Sequence, residues 1–200
     1  PDAVVRRQVG IDIVRMLQAA VPQFALLVFR HVTVSTELAY QHYLEHVGKS
    51  FFPGLVSNIT NPNGVVMMVV EGVDAIAHVR TCLGATFVEK AIGTETARGK
   101  FGVFHGINCC HASDSPASAE REVALWTSTF HVEPNAALAA AEFDAYVKEF
   151  DGKYAVETEH LRELVARLGK DVAELKECLR AQSDATDSRL LDFIATLTVN

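Results

Sequence analysis

The sequence predicts an α/β fold of the α+β kind, an antiparallel sheet with helices packed on it, followed by a C-terminal helical, coiled-coil-like extension. Three observations predict it. Two runs of branched and aromatic residues, 24–34 and 65–70, have the composition of strands. Segments with helical spacing stand before, between and after them. Beyond Glu133-Pro134 the chain turns Ala- and Leu-rich with no further strand pattern. The pattern fits a β-α-β-β-α-β order whose first strand would lie upstream of Pro1, since the chain opens on Pro-Asp-Ala-Val-Val.

Residues 9–20 interleave Ile11, Ile13, Val14, Met16 and Leu17 with Asp12, Arg15 and Gln18, the spacing of an amphipathic helix. Residues 24–34 form the next strand. Ser35 caps a helix over 36–47. A short helix over 51–58 is closed by the turn Asn61-Pro62-Asn63-Gly64, after which 65–70 is a buried strand. A helix over 73–83 ends at Gly84. Residues 84–106 hold five glycines and little periodicity, so they read as a long loop with one helical turn near 98–101. A helix over 116–126 follows, then 127–132 alternates as a final strand.

The tail, residues 133–200, divides into a helix over 135–150, a break at Asp151-Gly152, a helix over 154–182 and a last short helix over 188–197. Leu161, Leu164, Leu168, Val172, Leu175 and Leu179 make a nearly heptad stripe that needs a covering surface, its own returning helix or another chain. The expected division is therefore 1–132 for the sheet domain and 133–200 for an extension that packs chiefly outside it.

Composition narrows the function. Hydrophobic residues at 49% favour a folded chain. No charge-free apolar run reaches the length of a membrane span, and the start is not a secretory signal. The net charge is −7, and residues 133–200, with fourteen acids against eight bases, carry most of it. Such a tail repels nucleic acid. Cys82, Cys109, Cys110 and Cys178 lack zinc-site spacing and read as free thiols in a reducing, cytoplasmic setting, with no protein-bound metal expected. Oxidation of Cys109 or Cys110 would disturb whatever their neighbour His111 does.

The most informative stretch is Asn108-Cys109-Cys110-His111-Ala112-Ser113-Asp114-Ser115, directly before the helix that Pro116 opens. A histidine attacks phosphorus well when one ring nitrogen is free and an acceptor holds the other. Glu122 can be that acceptor. The helix N-terminus behind Ser115 adds free N–H groups and a positive dipole end.

This stretch, with Leu125-Trp126 ending its helix, resembles the active-site signature of nucleoside diphosphate kinases, N-x-x-H-G-S-D-S before a helix ending in Leu-Trp. The resemblance covers most of residues 1 to 132. It implies a ferredoxin-like antiparallel sheet with helices and a ping-pong transfer of γ-phosphate between nucleotides through a phosphohistidine, with Mg²⁺ entering with the nucleotide. It implies His111 as the nucleophile, supported by Glu122 and Ser113, with Tyr43 close by. Phe51 would stack the base, Asn108 would contact the ribose, and Lys49, Arg80, Thr86 and Arg98 would hold the phosphates. Departures touch the chemistry. Ala112 stands for a glycine and Lys49 for an arginine, the 84–98 loop is one residue longer and lacks proline, and His105 and Ile107 differ from common choices. The family's phosphate-binding lysine would precede Pro1. An alternative is a weakly active or inactive structural subunit of a larger assembly such as a ciliary axoneme, docked on other protein subunits through residues 133–200.

Overall fold

The computed structural model describes residues 1–104 and 108–180. The expected helix over 188–197 and the substitutions at His105 and Ile107 lie outside them. The elements are α1 Asp2–Val5, α2 Arg7–Ala20, β1 Ala25–Val32, α3 Thr36–His42 with a 3₁₀ turn Leu44–His46, α4 Phe52–Ile59, β2 Val65–Glu71, α5 Ala75–Leu83, α6 Val88–Ala91, α7 Ala97–Phe101, α8 Pro116–Phe130, α9 Ala136–Phe150 and α10 Thr158–Arg180.

Helix α2 is buried along two stripes. Val9, Ile13 and Leu17 pack with Leu83 of α5 and with Ala97 and Phe101 of α7. Ile11 and Val14 turn instead toward Leu26 and Phe29 of β1. Strands β1 and β2 pair antiparallel, with an irregularity between Leu26 and Val28. That bulge puts Leu27 out of the ladder and moves Phe29 onto the face of Leu26. Its carbonyl is thereby free to accept the Asn135 amide at 2.8 Å. Both faces of the ladder are covered: Leu26, Phe29, Met68 and Val70 lie on the α2 side, while Val28, Val32, Met67 and Val69 meet Trp126 and Phe130 of α8. Two covered faces explain why the 65–70 run is apolar throughout rather than alternating.

Most elements fall where the sequence puts them, and Ser35 caps α3 by accepting from the Leu38 amide. Four differ. The final strand expected over 127–132 is the end of α8, which runs to Phe130 and stops at His131 in the left-handed region (φ 51). Thr127 and Thr129 return their hydroxyls to helix carbonyls, and Trp126 and Phe130, one turn apart, are what the helix presents to the sheet. Among the described residues the sheet is thus the β1–β2 pair. The helix over 36–47 tightens to 3₁₀ after His42, and the described residues of the 84–106 loop, 84–104, hold two short helices, not one. Gly84 ends α5 at φ +81, where a side chain would strike Thr96.

The fourth difference is the tail. The chain separates into compact units at Val156/Glu157, so the boundary expected at 132 falls within the first unit, Pro1–Val156. Helix α9 does not pack outside the domain. Ala139 and Phe143 are buried with Ile11, Val14 and Phe29, and the Phe29 ring meets Phe143 and Tyr146 edge-on at 5.2 and 5.5 Å. Arg30 pairs with Glu142 at 2.8 Å, and Asp151 accepts from Arg15 and Gln8, clasping the far end. The alanines that marked a helix also let it lie close to β1. In the second unit, α10 carries its stripe with Leu168 57% exposed, and Leu175 and Leu179 lie outside the described side chains. No helix among the described residues is long and apolar enough to cross a membrane.

Truncating Phe143 to alanine opens a cavity between α9 and β1 and is expected to cost about 3–5 kcal/mol. Urea unfolding of Phe143→Ala measures it, and a change under 1 kcal/mol would contradict the packing of α9 as core.

Candidate functional site

The segment before α8 is anchored from within. Cys109, Cys110 and Ala112 pack against the α2–α5–α7 cluster, and His111 between them points outward with half its side chain exposed. Cys109 holds φ +71, the one backbone position here that would suit glycine. Ala112 has no positive φ and its methyl joins the cluster, so the change from glycine is accommodated.

Helix α8 then supplies the partner. Ser115 caps it, accepting from the Ser118 amide at 3.2 Å with Pro116 in the first turn, and this sets Glu122 two turns on beside His111. Glu122 Oε2 takes the Ser113 hydroxyl at 2.7 Å and His111 Nε2 at 3.1 Å. Burial acts to raise the Glu122 carboxyl, but the hydrogen bonds from His111 and Ser113 and the charges of His111 and His42 outweigh it and hold it below its ordinary value. A carboxylate only accepts, so Nε2 carries the hydrogen and Nδ1 of His111 is left as a lone pair.

Two arginines grip the carbonyls on either side of His111. Arg80 donates to Ala112 O at 3.2 Å, and Arg98 donates to Cys110 O at 2.6 Å and Gly84 O at 2.8 Å. Arg80 is exposed, whereas Arg98 is only 6% exposed and braces the loop from behind. Tyr43 meets the His111 ring edge-on at 6.4 Å, and burial followed by the Glu122 charge raises its phenol to about 12, so it stays a neutral donor. Phe51 stands 49% exposed beside His46, with Lys49 Nζ bonded to His46 Nδ1 and 5.8 Å over the Phe51 ring. Asn108 reaches Thr86 O at 3.5 Å, and the Thr86 side chain is exposed. Of the ten expected residues, Glu122, Ser113, Tyr43, Arg80 and Arg98 gather about His111, Asn108 and Thr86 meet each other, and Lys49 and Phe51 form a shelf beside His46.

Sequence reasoning missed His42, Arg121 and Trp126 as parts of this neighbourhood. Arg121 lies 3.5 Å from Glu122 Oε1 and also donates to His42 O. His42, His111 and Glu122 present their donor atoms within 4.8 Å of one another, an arrangement that invites a metal. Trp126 argues against it. The indole N–H donates to His42 Nδ1 at 3.2 Å, so neutral His42 carries its hydrogen on Nε2 and has no lone pair left to give. Carboxylate oxygens suited to Mg²⁺ are also scarce, because Glu122 is occupied and Asp114 is tied to Ser118. The donor set fits a cation that arrives already bound to phosphates.

Comparison with known proteins adds the following. A family model described as "Nucleoside diphosphate kinase" matches residues 1–132. A nucleoside diphosphate kinase of Thermosynechococcus vestitus is 46% identical over 136 residues, covering 67% of this chain and 86% of that protein. One of Mycobacterium tuberculosis is 44% identical over 126 residues, 63% of this chain and 90% of that protein. The Aquifex aeolicus nucleoside diphosphate kinase structure superposes with TM-score 0.57 at 32% identity, over 66% of this chain and 93% of that one. A halophilic nucleoside diphosphate kinase from Halobacterium salinarum, solved in complex with CDP, gives 0.54 at 35% identity with the same coverage. The family match stops just before α9.

Two outcomes are expected. Burial raises the Cys109 thiol well above its usual range, with Asp2 adding to it, and raises Cys110 to about 12 against the opposing charge of Arg98. In the folded chain at pH 8, iodoacetamide should therefore alkylate exposed Cys178 first, as read by mass spectrometry. Equal labelling of all three would contradict the burial. The second concerns acid. Burial first, then the charge of His111, lowers His42 from 6.5 to about 4. An unfolded chain takes up that proton as pH falls through 6.5 and the folded chain refuses it until about 4. Stability is thus full above 6.5 and declines toward 4, by at most about 3 kcal/mol. Denaturation curves at pH 7.5 and 4.5 should converge for His42→Asn relative to the unaltered chain.

Proposed function

The chain belongs to the nucleoside diphosphate kinase family, and on that premise we propose that it transfers the γ-phosphate of a nucleoside triphosphate to a nucleoside diphosphate through a phosphohistidine on Nδ1 of His111. The observation that carries this reading is the His111 Nε2 to Glu122 Oε2 contact at 3.1 Å, because it leaves one nucleophilic atom and aims it outward.

In the first half-reaction the Nδ1 lone pair forms a bond to the γ-phosphorus while the bond to the β-phosphate oxygen breaks, and the diphosphate departs with that oxygen. No proton needs to move, since Nε2 keeps its hydrogen toward Glu122. Positive charge that develops on the ring is met by the carboxylate, which Ser113 keeps in place. A second diphosphate then takes the phosphoryl group by the reverse path. Arg80 releases its carbonyl for the phosphates, Thr86 offers a hydroxyl, and Arg98 contributes charge while it holds the loop. Tyr43 stands by the His111 ring, Asn108 contacts the ribose, Lys49 supports the phosphates from farther out, and Phe51 stacks the base, where stacking tolerates any base shape. Mg²⁺, brought by the nucleotide, would screen the phosphate charge.

The setting that suits this activity is cytoplasmic. Protein contacts through the tail fall to α10, since α9 is engaged by its own sheet.

Incubation with γ-labelled ATP and Mg²⁺ should leave acid-labile, base-stable phosphate on the chain, and His111→Ala should carry none. Glu122→Gln keeps the shape but loses the charge, and its transfer rate is expected to fall about 10²- to 10³-fold. Label of undiminished strength on His111→Ala would overturn the assignment.

A further inference from the structure

His42 ends α3 inside a box of rings. It is 4% exposed and stands edge-on to Tyr43 at 4.5 Å, to His111 at 4.8 Å and to Trp126 at 5.5 Å. An indole nitrogen can only donate, so the Trp126 bond fixes His42 Nδ1 as a lone pair and places the hydrogen on Nε2, a buried atom with no partner. The residues that grip His42 and His111 share one helix. Trp126 and Arg121 of α8 hold the His42 ring and carbonyl, and Glu122 between them holds His111.

We propose that His42 is a positioning residue, kept uncharged by its burial in the ring box and held in one tautomer by the Trp126 indole, so that the Glu122 carboxylate stays committed to His111. A protonated His42 would oppose a second N–H to the indole donor. It would also set a cation beside Glu122 in competition with the His111 Nε2–H bond, letting the nucleophilic ring turn. Neutral His42 instead gives His111 a flat wall at 80°. The charged and titratable groups facing it are His111 and His46, Glu122, Arg121 and the Tyr43 phenol. Burial is the largest influence against a charge on His42, the charges of His111, Arg121 and His46 act the same way, and only Glu122 favours it.

The role rests on His111 as the phosphate acceptor, so the test has one arm that needs no activity. Nitrogen-15 spectra of the histidine rings in the intact chain should show His42 as the Nε2–H tautomer, unchanged from pH 8 to 5. Trp126→Phe removes the donor and keeps an aromatic ring. Its His42 stays buried but loses the indole donor, so it should titrate about one pH unit above the unaltered His42; at pH 5 about half is then charged, and phosphorylation of His111 falls about twofold relative to its own rate at pH 8, beyond any fall in the unaltered chain. His42→Asn offers Trp126 a carbonyl acceptor that cannot be protonated, and it should keep the unaltered ratio between the two pH values whatever its absolute rate. A merely structural residue would change rate without changing that ratio. An Nδ1–H tautomer or a titration above pH 5 in the unaltered chain would overturn the proposal, as would Trp126→Phe with the unaltered ratio. If Trp126→Phe does not fold, the ring spectra of the unaltered chain decide. Absence of phosphate on His111 in the unaltered chain would instead overturn the transfer reading and this role together.

Discussion

One carboxylate organises the site. Glu122 is partly buried, and a lone carboxylate there would be costly, yet two donors on one oxygen and an arginine near the other keep it charged. From that charge follow the tautomer of His111, the direction of its free nitrogen and the need for an uncharged His42 alongside. The same carboxylate ties the irregular segment 108–115 to α8, so local backbone and chemistry are fixed by one contact.

The contact holds only because its two ends are independently rigid. On one side, Cys109, Cys110 and Ala112 are embedded against α2, α5 and α7, and two arginines pin the carbonyls flanking His111. On the other, α8 is capped by Ser115 and seated on the sheet by Trp126 and Phe130. Helix α2 lies beneath the first of these, on the face of the sheet opposite α8, and its second stripe faces β1 and α9. The added helix therefore belongs to the same core that supports the site, joined through Leu26, Phe29 and Phe143.

Strong periodic segments were legible. Residues 9–20, 24–34 and 65–70 declared themselves by spacing and branching, 135–150 by its alanines, and Ser35 by its capping chemistry. Misread segments had ambiguous local pattern. Thr127 to Val132 alternates polar and apolar residues, but hydroxyls that bond back to helix carbonyls serve a helix equally well, and the sheet needed Phe130 one turn after Trp126. In the 84–106 loop, the short helices α6 and α7 are stabilised by burial of Val88, Ala97 and Phe101, which no local window reveals. At the site, His111, Ser113 and Glu122 were readable together because they are close in sequence.

By itself the sequence determined the family, the order of most elements and the residues that gather about His111, because periodicity, capping and a contiguous motif are local properties of the chain. Only the tertiary structure decided that α9 is core, that Arg98 braces the loop with both ends on carbonyls, and that His42 and Trp126 wall the nucleophile. These depend on contacts across 84 positions for His42 and Trp126, 112 for Arg30 and Glu142, and 14 and 12 for Arg98 with Gly84 and Cys110. Such contacts exist only when a bulge, a cap and two buried helix stripes have set the elements against one another, and no local pattern encodes that distance.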